Sequence, residues 1–131
     1  MMTPYDRMGG ETGIRRFTQR FYALMDTLPE AAACRAVHPP DLANAEQRLF
    51  EYLSGWLGGP PLYVARFGHP MLRRRHMRAA IGAEEVRGWL LCFHRAWDEQ
   101  VADATLSQDV LPRVESLAHH MQNRAQSGVT T

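Results

Sequence analysis

Apolar side chains recur three and four residues apart through most of this chain, the spacing that gathers them on one face of a helix. Ile14, Phe17, Phe21 and Met25 mark a first long helix starting near Glu11, after Gly9-Gly10 breaks a short N-terminal segment. Pro29 suits the first turn of a short helix running to about Ala36. His38-Pro39-Pro40-Asp41 reads as a stiff turn, because each proline holds the residue before it extended. Asp41 is the expected N-cap of the next helix, which carries Leu42, Ala45, Leu49, Leu53 and Trp56 on one face. Glu46, Gln47 and Glu51 fall elsewhere on its surface. Gly58-Gly59-Pro60-Pro61 is a strong stop.

From about Gly58 to Gly68 no period is visible, and the segment is expected to be irregular. Pro70 opens a short helix with Met71, Leu72 and His76, closed by Ile81-Gly82. Val86, Trp89, Leu90, Phe93, Trp97 and Val101 stay in register on a second long helix. Ser107 is the expected N-cap of the last helix, which holds Val110, Leu111, Val114, Leu117, Ala118 and Met121. Pro112 then falls near its first turn, where a missing N–H is tolerated. No strand pattern, internal repeat or second domain interrupts the series. The expected fold class is all-α, in a single domain over residues 1–131 with an ordered core at about 5–125 and a small, polar tail from Gln126 to Thr131.

A chain of 131 residues buries roughly two-thirds of its unfolded surface, enough for a core and a pocket. The net charge of +1 gives no whole-chain field to favour nucleic acid or a membrane surface. No apolar run approaches a membrane span, and the N-terminus lacks the basic and apolar regions of a signal peptide, so a cytoplasmic location is expected. Cys34 and Cys92 are too few for a disulfide framework and sit in apolar helical patterns, as buried free thiols do. All 15 basic side chains are arginine, and Arg73, Arg74, Arg75 and Arg78 crowd around His76.

Several chemistries lack their residues. There is no Cys-x-x-Cys or His-Glu-x-x-His for zinc, no Glu-x-x-His pair for a di-iron bundle, and no Ser-His-Asp order or Gly-rich phosphate loop. His119 and His120 diverge around their helix and read as solvated; His94 reads as structural or exposed. His76 shares the face of Leu72 and has four arginine neighbours. Haem asks for that setting: an imidazole for iron, apolar walls for the porphyrin and cations for two propionates. The same arginine run also reads as a solvated helix face or an anion-binding patch.

The order and spacing of several motifs resemble a known family. Tyr5-Asp6 precedes Gly9-Gly10, and Arg20-Phe21-Tyr22 follows. His38-Pro39-Pro40-Asp41-Leu42 leads into Ala45-Glu46-Gln47-Arg48-Leu49, and Leu53 to Tyr63 reads LSGWLGGPPLY. Gly68 to His76 reads GHPMLRRRH, and Trp89-Leu90-Leu91-Cys92 closes the set. From Tyr5 to Asn123 the chain resembles a truncated haemoglobin of group II, a globin shortened to a two-over-two helical sandwich. The resemblance implies haem b (iron protoporphyrin IX) with His76 as the proximal iron ligand. It implies Tyr22, His38 and Trp89 as polar residues over the opposite haem face, with Ala45 and Leu49 in the distal pocket. It implies Arg48, Tyr63 and Arg75 near the propionates, and Phe67, His69, Met71, Leu72 and Phe93 around the macrocycle.

Three positions depart from the family pattern. Met77-Arg78-Ala79 follows the proximal histidine where Pro-Phe is frequent, which loosens packing behind the haem. Glu85-Val86-Arg87 and Phe93 replace a familiar Glu-Arg-Asp and Met. The implied function is reversible binding of O₂ at a ferrous iron, with NO or sulfide as further ligands, in a monomer or homodimer. The alternatives are a haem enzyme, an NO dioxygenase or peroxidase fed by an external reductase, and a haem-free helical interaction module. On residue types alone, Tyr22 and Trp89 read as core aromatics with satisfied polar tips, and the resemblance is what favours the distal role.

Overall fold

The computed structural model describes residues 2–69, 71 and 79–124. Among them there is no strand. The helices are α1 (Pro4–Arg7), α2 (Gly10–Thr27), α3 (Ala32–Ala36, entered through a 3₁₀ turn at Pro29–Ala31), α4 (Ala43–Trp56), α5 (Leu62–Phe67), α6 (Ala83–Gln100) and α7 (Ala104–His120). α2 packs on α4 and crosses α6, and α6 packs on α7. Two pairs of long helices thus lie in two layers, the expected two-over-two arrangement.

The apolar stripes explain the layering. Ile14, Phe17, Phe21 and Met25 of α2 are buried, as are Phe93 and Trp97 of α6 and Val110 and Val114 of α7. Rings interlock where α2 crosses α6. Phe17 meets Phe93 edge-on at 4.7 Å between centroids, and Phe93 stacks on Trp97 at 6.0 Å. Edge-to-face and offset contacts of this kind add about 0.5–1.5 kcal/mol each beyond area burial. Gly88 lets α3 lie close on α6: a Cβ there would stand 3.1 Å from Ala31 Cα and 3.2 Å from Cys34 Cβ. Gly58, at φ 94°, supplies the left-handed turn that ends α4.

Side-chain caps set only some boundaries. The N-cap of α4 is Leu42, not the expected Asp41, which stands one residue earlier and accepts from the Ala43 amide through Oδ1 at 2.9 Å. Gly82 N–H donates to Glu85 Oε1 at 2.7 Å at the start of α6. Ile81 is latched to the end of α7: its N–H donates to Asn123 Oδ1, and its carbonyl accepts from the Asn123 and Arg124 amides.

Three expectations need correction. Leu62–Phe67 is a helix, not an irregular segment. Six residues are too few to display a period, while Pro61 before it and Gly68 after it, at φ 78°, set its ends. The last helix begins at Ala104, capped by Asp103, whose Oδ1 accepts from the Leu106 amide at 3.0 Å. Ser107 is engaged elsewhere, accepting from Trp97 Nε1 at 2.8 Å. Pro112 therefore lies inside α7, where it removes a backbone hydrogen bond. Finally, Glu51 is 2 % exposed rather than on the surface. Its Oε1 accepts from Gln47 Nε2, one turn earlier on α4, and from Arg66 Nη1, which is within reach because α5 folds back on α4. The short helix expected from Pro70 falls largely outside the described residues, as does the tail.

Candidate functional site

Three separate elements bring Tyr22, His38 and Trp89 together. Tyr22 lies in the fourth turn of α2, His38 in the turn after α3, and Trp89 in the second turn of α6. Phe21 bridges them, 4.9 Å from the Tyr22 ring and 5.3 Å from Trp89, both edge-on. The Tyr22 and His38 rings meet edge-on at 5.9 Å. Phe93 stacks on Trp89 at 5.3 Å and is itself buried, closing this aromatic wall from α6.

The polar tips differ in their partners. His38 Nδ1 lies 2.9 Å from the Cys34 carbonyl. A carbonyl only accepts, so Nδ1 carries the proton and Nε2 is the acceptor nitrogen of the neutral ring. The Tyr22 hydroxyl and the Trp89 indole N–H have no hydrogen-bond partner among the described residues. Trp89 is half-buried and Tyr22 is 6 % exposed. Trp97, on the same helix, contrasts with Trp89, because its N–H is satisfied by Ser107. Burial first, and then the nearby Cys34 and Glu46, push the Tyr22 phenol well above its ordinary value. Tyr22 is therefore protonated at neutral pH and keeps its O–H as a donor.

α4 supplies a flat apolar wall. Its Phe50 and Leu53, with Leu57 at its C-terminal cap, are buried. A neighbouring stripe of Ala45, Leu49, Tyr52 and Trp56 is only half-buried and packs on the core's edge. Beyond it lies an aromatic and cationic rim. Tyr52 meets Tyr63 at 5.9 Å, Tyr63 meets Phe67 at 4.8 Å, and the exposed Arg48 holds its guanidinium 5.6 Å from the Phe67 ring. His69 and Met71 are exposed. Leu72, Arg75 and His76 lie outside the described residues.

This arrangement fits a haem. It offers an apolar stripe for the ring, an arginine at the rim for propionates, and two donors without partners among the described residues beside an aromatic wall. Phe21, Tyr52 and Trp56 were not singled out in the sequence as site residues. Tyr52 stands three residues after Leu49, a helical spacing that marks it as sharing the same face. A cavity of about 220 Å³ lies beside this rim, lined by Glu51, Tyr52, Gly55, Trp56, Pro61, Tyr63 and Val64.

Two layers of helices around an aromatic wall that fits a haem are the architecture of a globin. A family model for bacterial-like globins matches residues 3–123. The group 2 truncated haemoglobin YjbI of Bacillus subtilis is 32% identical over 124 residues, covering 95% of this chain and 91% of that protein. The group II 2-on-2 haemoglobin of Agrobacterium tumefaciens superimposes with a TM-score of 0.92 at 54% identity, over 97% of each chain. The truncated oxygen-avid haemoglobin of Bacillus subtilis gives 0.83 at 32% identity, over 93% of this chain and 100% of that one. The chain belongs to the bacterial-like globins, as a haem-binding truncated haemoglobin of group II. No helix among the described residues is long and apolar enough to cross a membrane.

Proposed function

We propose that this chain binds O₂ reversibly at a ferrous haem b. In this reading His76 ligates the iron on one face. Tyr22, His38 and Trp89 receive the gas on the other, beside Ala45 and Leu49. Arg48, Tyr63 and Arg75 hold the propionates, and Phe67, His69, Met71, Leu72 and Phe93 surround the ring. Haem supplies a reversible coordination position for a diatomic gas and draws partial negative charge onto the gas's outer atom.

The chain's own residues then decide how strongly that charge is held. The Trp89 N–H can only donate. The Tyr22 O–H stays protonated because burial opposes its ionisation, so it donates as well. The neutral His38 ring accepts at Nε2 and donates there only after taking up a proton. Ala45 is small and leaves room above the ring. The observation that carries the reading is the pair of donors, on Tyr22 and Trp89, that the described protein leaves unsatisfied. The oxygen avidity stated for the related Bacillus subtilis haemoglobin supports the same direction.

Absorption spectra of the purified protein test it, taken ferric, ferrous, and ferrous with O₂ and with CO. The expected result is a Soret band that moves reversibly with O₂, and that His76→Ala abolishes or converts to another coordination. A haem-supplied protein with no Soret band, or a His76→Ala variant with the parent's spectra, overturns the assignment.

A further inference from the structure

We infer that Arg35 is a positioning residue for the gas-binding face, one that sets His38 against Tyr22 without touching either the gas or the haem. The inference rests on the distal role given to His38 above.

The turn that carries His38 has few means of holding itself. Pro39 and Pro40 have no N–H to donate, so only their carbonyls can anchor this stretch. Arg35 takes both: its Nη1 donates to the Pro39 carbonyl at 2.9 Å and its Nη2 to the Pro40 carbonyl at 2.8 Å. The remaining nitrogen, Nε, donates to Asp26 Oδ1 at 2.8 Å. Asp26 stands one helical turn beyond Tyr22 on α2, so one guanidinium ties the His38 turn to the helix that places the tyrosine.

The backbone around it closes the same loop. The Arg35 carbonyl accepts from the His38 amide at 3.1 Å, and the neighbouring Cys34 carbonyl accepts from the His38 ring at 2.9 Å. His38 is thus held at its amide, at its ring and through the two residues that follow it. Arginine suits the task for a geometric reason. Its planar fork aims three donors in fixed directions, whereas an ammonium on a flexible stem satisfies one or two at a time. The Arg35 side chain is 24% exposed, against 58% for Asp26, so the guanidinium is sheltered enough to hold one geometry.

Arg35→Lys and Asp26→Asn separate the two halves of the clamp, with His38→Phe as the control. The readouts are the C–O stretching band of the CO-loaded ferrous protein, the rate of O₂ release, and hydrogen exchange at the His38 amide. Arg35→Lys is expected to broaden or split the C–O band and to change O₂ release by about threefold to tenfold, less than the loss of a whole charge-assisted hydrogen bond. His38 amide exchange is expected to quicken. Asp26→Asn keeps both carbonyl bonds and a neutral acceptor for Nε, and is expected to change the C–O band in the same direction as Arg35→Lys but by less. Should Arg35→Lys lose its helical circular dichroism, Arg35→Gln repeats the test.

An Arg35 variant with the parent's C–O band and O₂ release, alongside a His38→Phe variant that changes both, overturns the positioning role and leaves the gas-binding reading standing. A His38→Phe variant that changes neither removes the distal role of His38, and this inference with it.

Discussion

Replacing Trp89 by phenylalanine separates the two things this side chain does. Its ring fills the wall between Phe21 and Phe93, each 5.3 Å away between centroids. Its N–H has no acceptor among the described residues. Phenylalanine keeps an aromatic ring in that wall and deletes the donor. The stability cost is therefore that of trimming a half-buried ring, on the order of 1 kcal/mol, well below the 3–5 kcal/mol of truncating a core aromatic to alanine. The functional cost is larger. A hydrogen bond to a charge-bearing partner is worth about 1.5–3 kcal/mol, which is roughly tenfold to a hundred-and-fiftyfold in an equilibrium.

If that loss falls on dissociation, O₂ leaves Trp89→Phe about ten to a hundred times faster than it leaves the parent. CO carries less charge on its outer atom. At the value of an ordinary neutral hydrogen bond, about 0.5–1.5 kcal/mol, its release quickens by roughly tenfold at most. Stopped-flow displacement of O₂ by CO, and of CO by NO, measures both rates on one sample. Equal factors for the two gases refute the donor role and return Trp89 to a wall residue. So does an unchanged O₂ rate, unless Tyr22→Phe in the same background uncovers the difference. Trp97→Phe is the internal control, because that indole already spends its N–H on Ser107.

The remaining expectations concern the scaffold. Trp97→Phe deletes the bond to Ser107 inside a fully buried ring stack and should cost about 1–3 kcal/mol in urea unfolding while leaving gas release unchanged; a neutral outcome would mean that water replaces the bond. Arg66→Ala strips the buried Glu51 of its cation. Because Arg66 is 56% exposed, the expected loss is about 1–3 kcal/mol rather than the 3–5 of a fully buried pair, and it should shrink in a Glu51→Gln background; an equal loss in both backgrounds removes the ion pair as its cause. Burial, with some help from Cys92 and Glu85, pushes the Cys34 thiol up to about 12, and burial pushes Cys92 up to about 11. Both should resist a thiol reagent at pH 8 until the protein unfolds. The sign for stability follows: the unfolded thiols ionise near 9 and the folded ones only near 11–12. The folded state thus holds more protons in that window and loses stability as pH rises through it. A pH-independent stability between 9 and 11, or no flattening in Cys34→Ala, would count against that origin.

The long helices were legible because each buries one stripe over three or more turns. In α2 and α6 the residues at helical spacing, Phe17, Phe21, Phe93 and Trp97, are the ones that interlock. α5 was not, since a six-residue helix between prolines and a glycine carries no full period. The last helix was started late because Asp103 and Ser107 are both good capping types, and only tertiary contact shows that Ser107 serves Trp97. Glu51 looked like a surface residue because nothing in the local sequence tells that Arg66, fifteen positions on, returns to meet it. Of the candidate site, Tyr22, His38 and Trp89 were legible as separate motif residues in order along the chain. Their convergence depends on Phe21 and on Gly88, whose roles are set by what crosses them in space.

The same helix can therefore serve stability at one turn and binding at another, and the hydrogen-bond ledger distinguishes the two. Trp89 and Trp97 stand eight residues apart on α6, on nearly the same face, and both rest on Phe93. The fully buried Trp97 donor needs a partner, since an unpaired buried donor costs about 1–3 kcal/mol, and Ser107 supplies it. Trp89 is only half-buried, and its N–H has no partner among the described residues. Water can serve such a donor when no ligand is bound, so leaving it open costs the protein little and keeps it available to a charge-bearing ligand. That asymmetry is what the proposed gas-binding role of Trp89 requires.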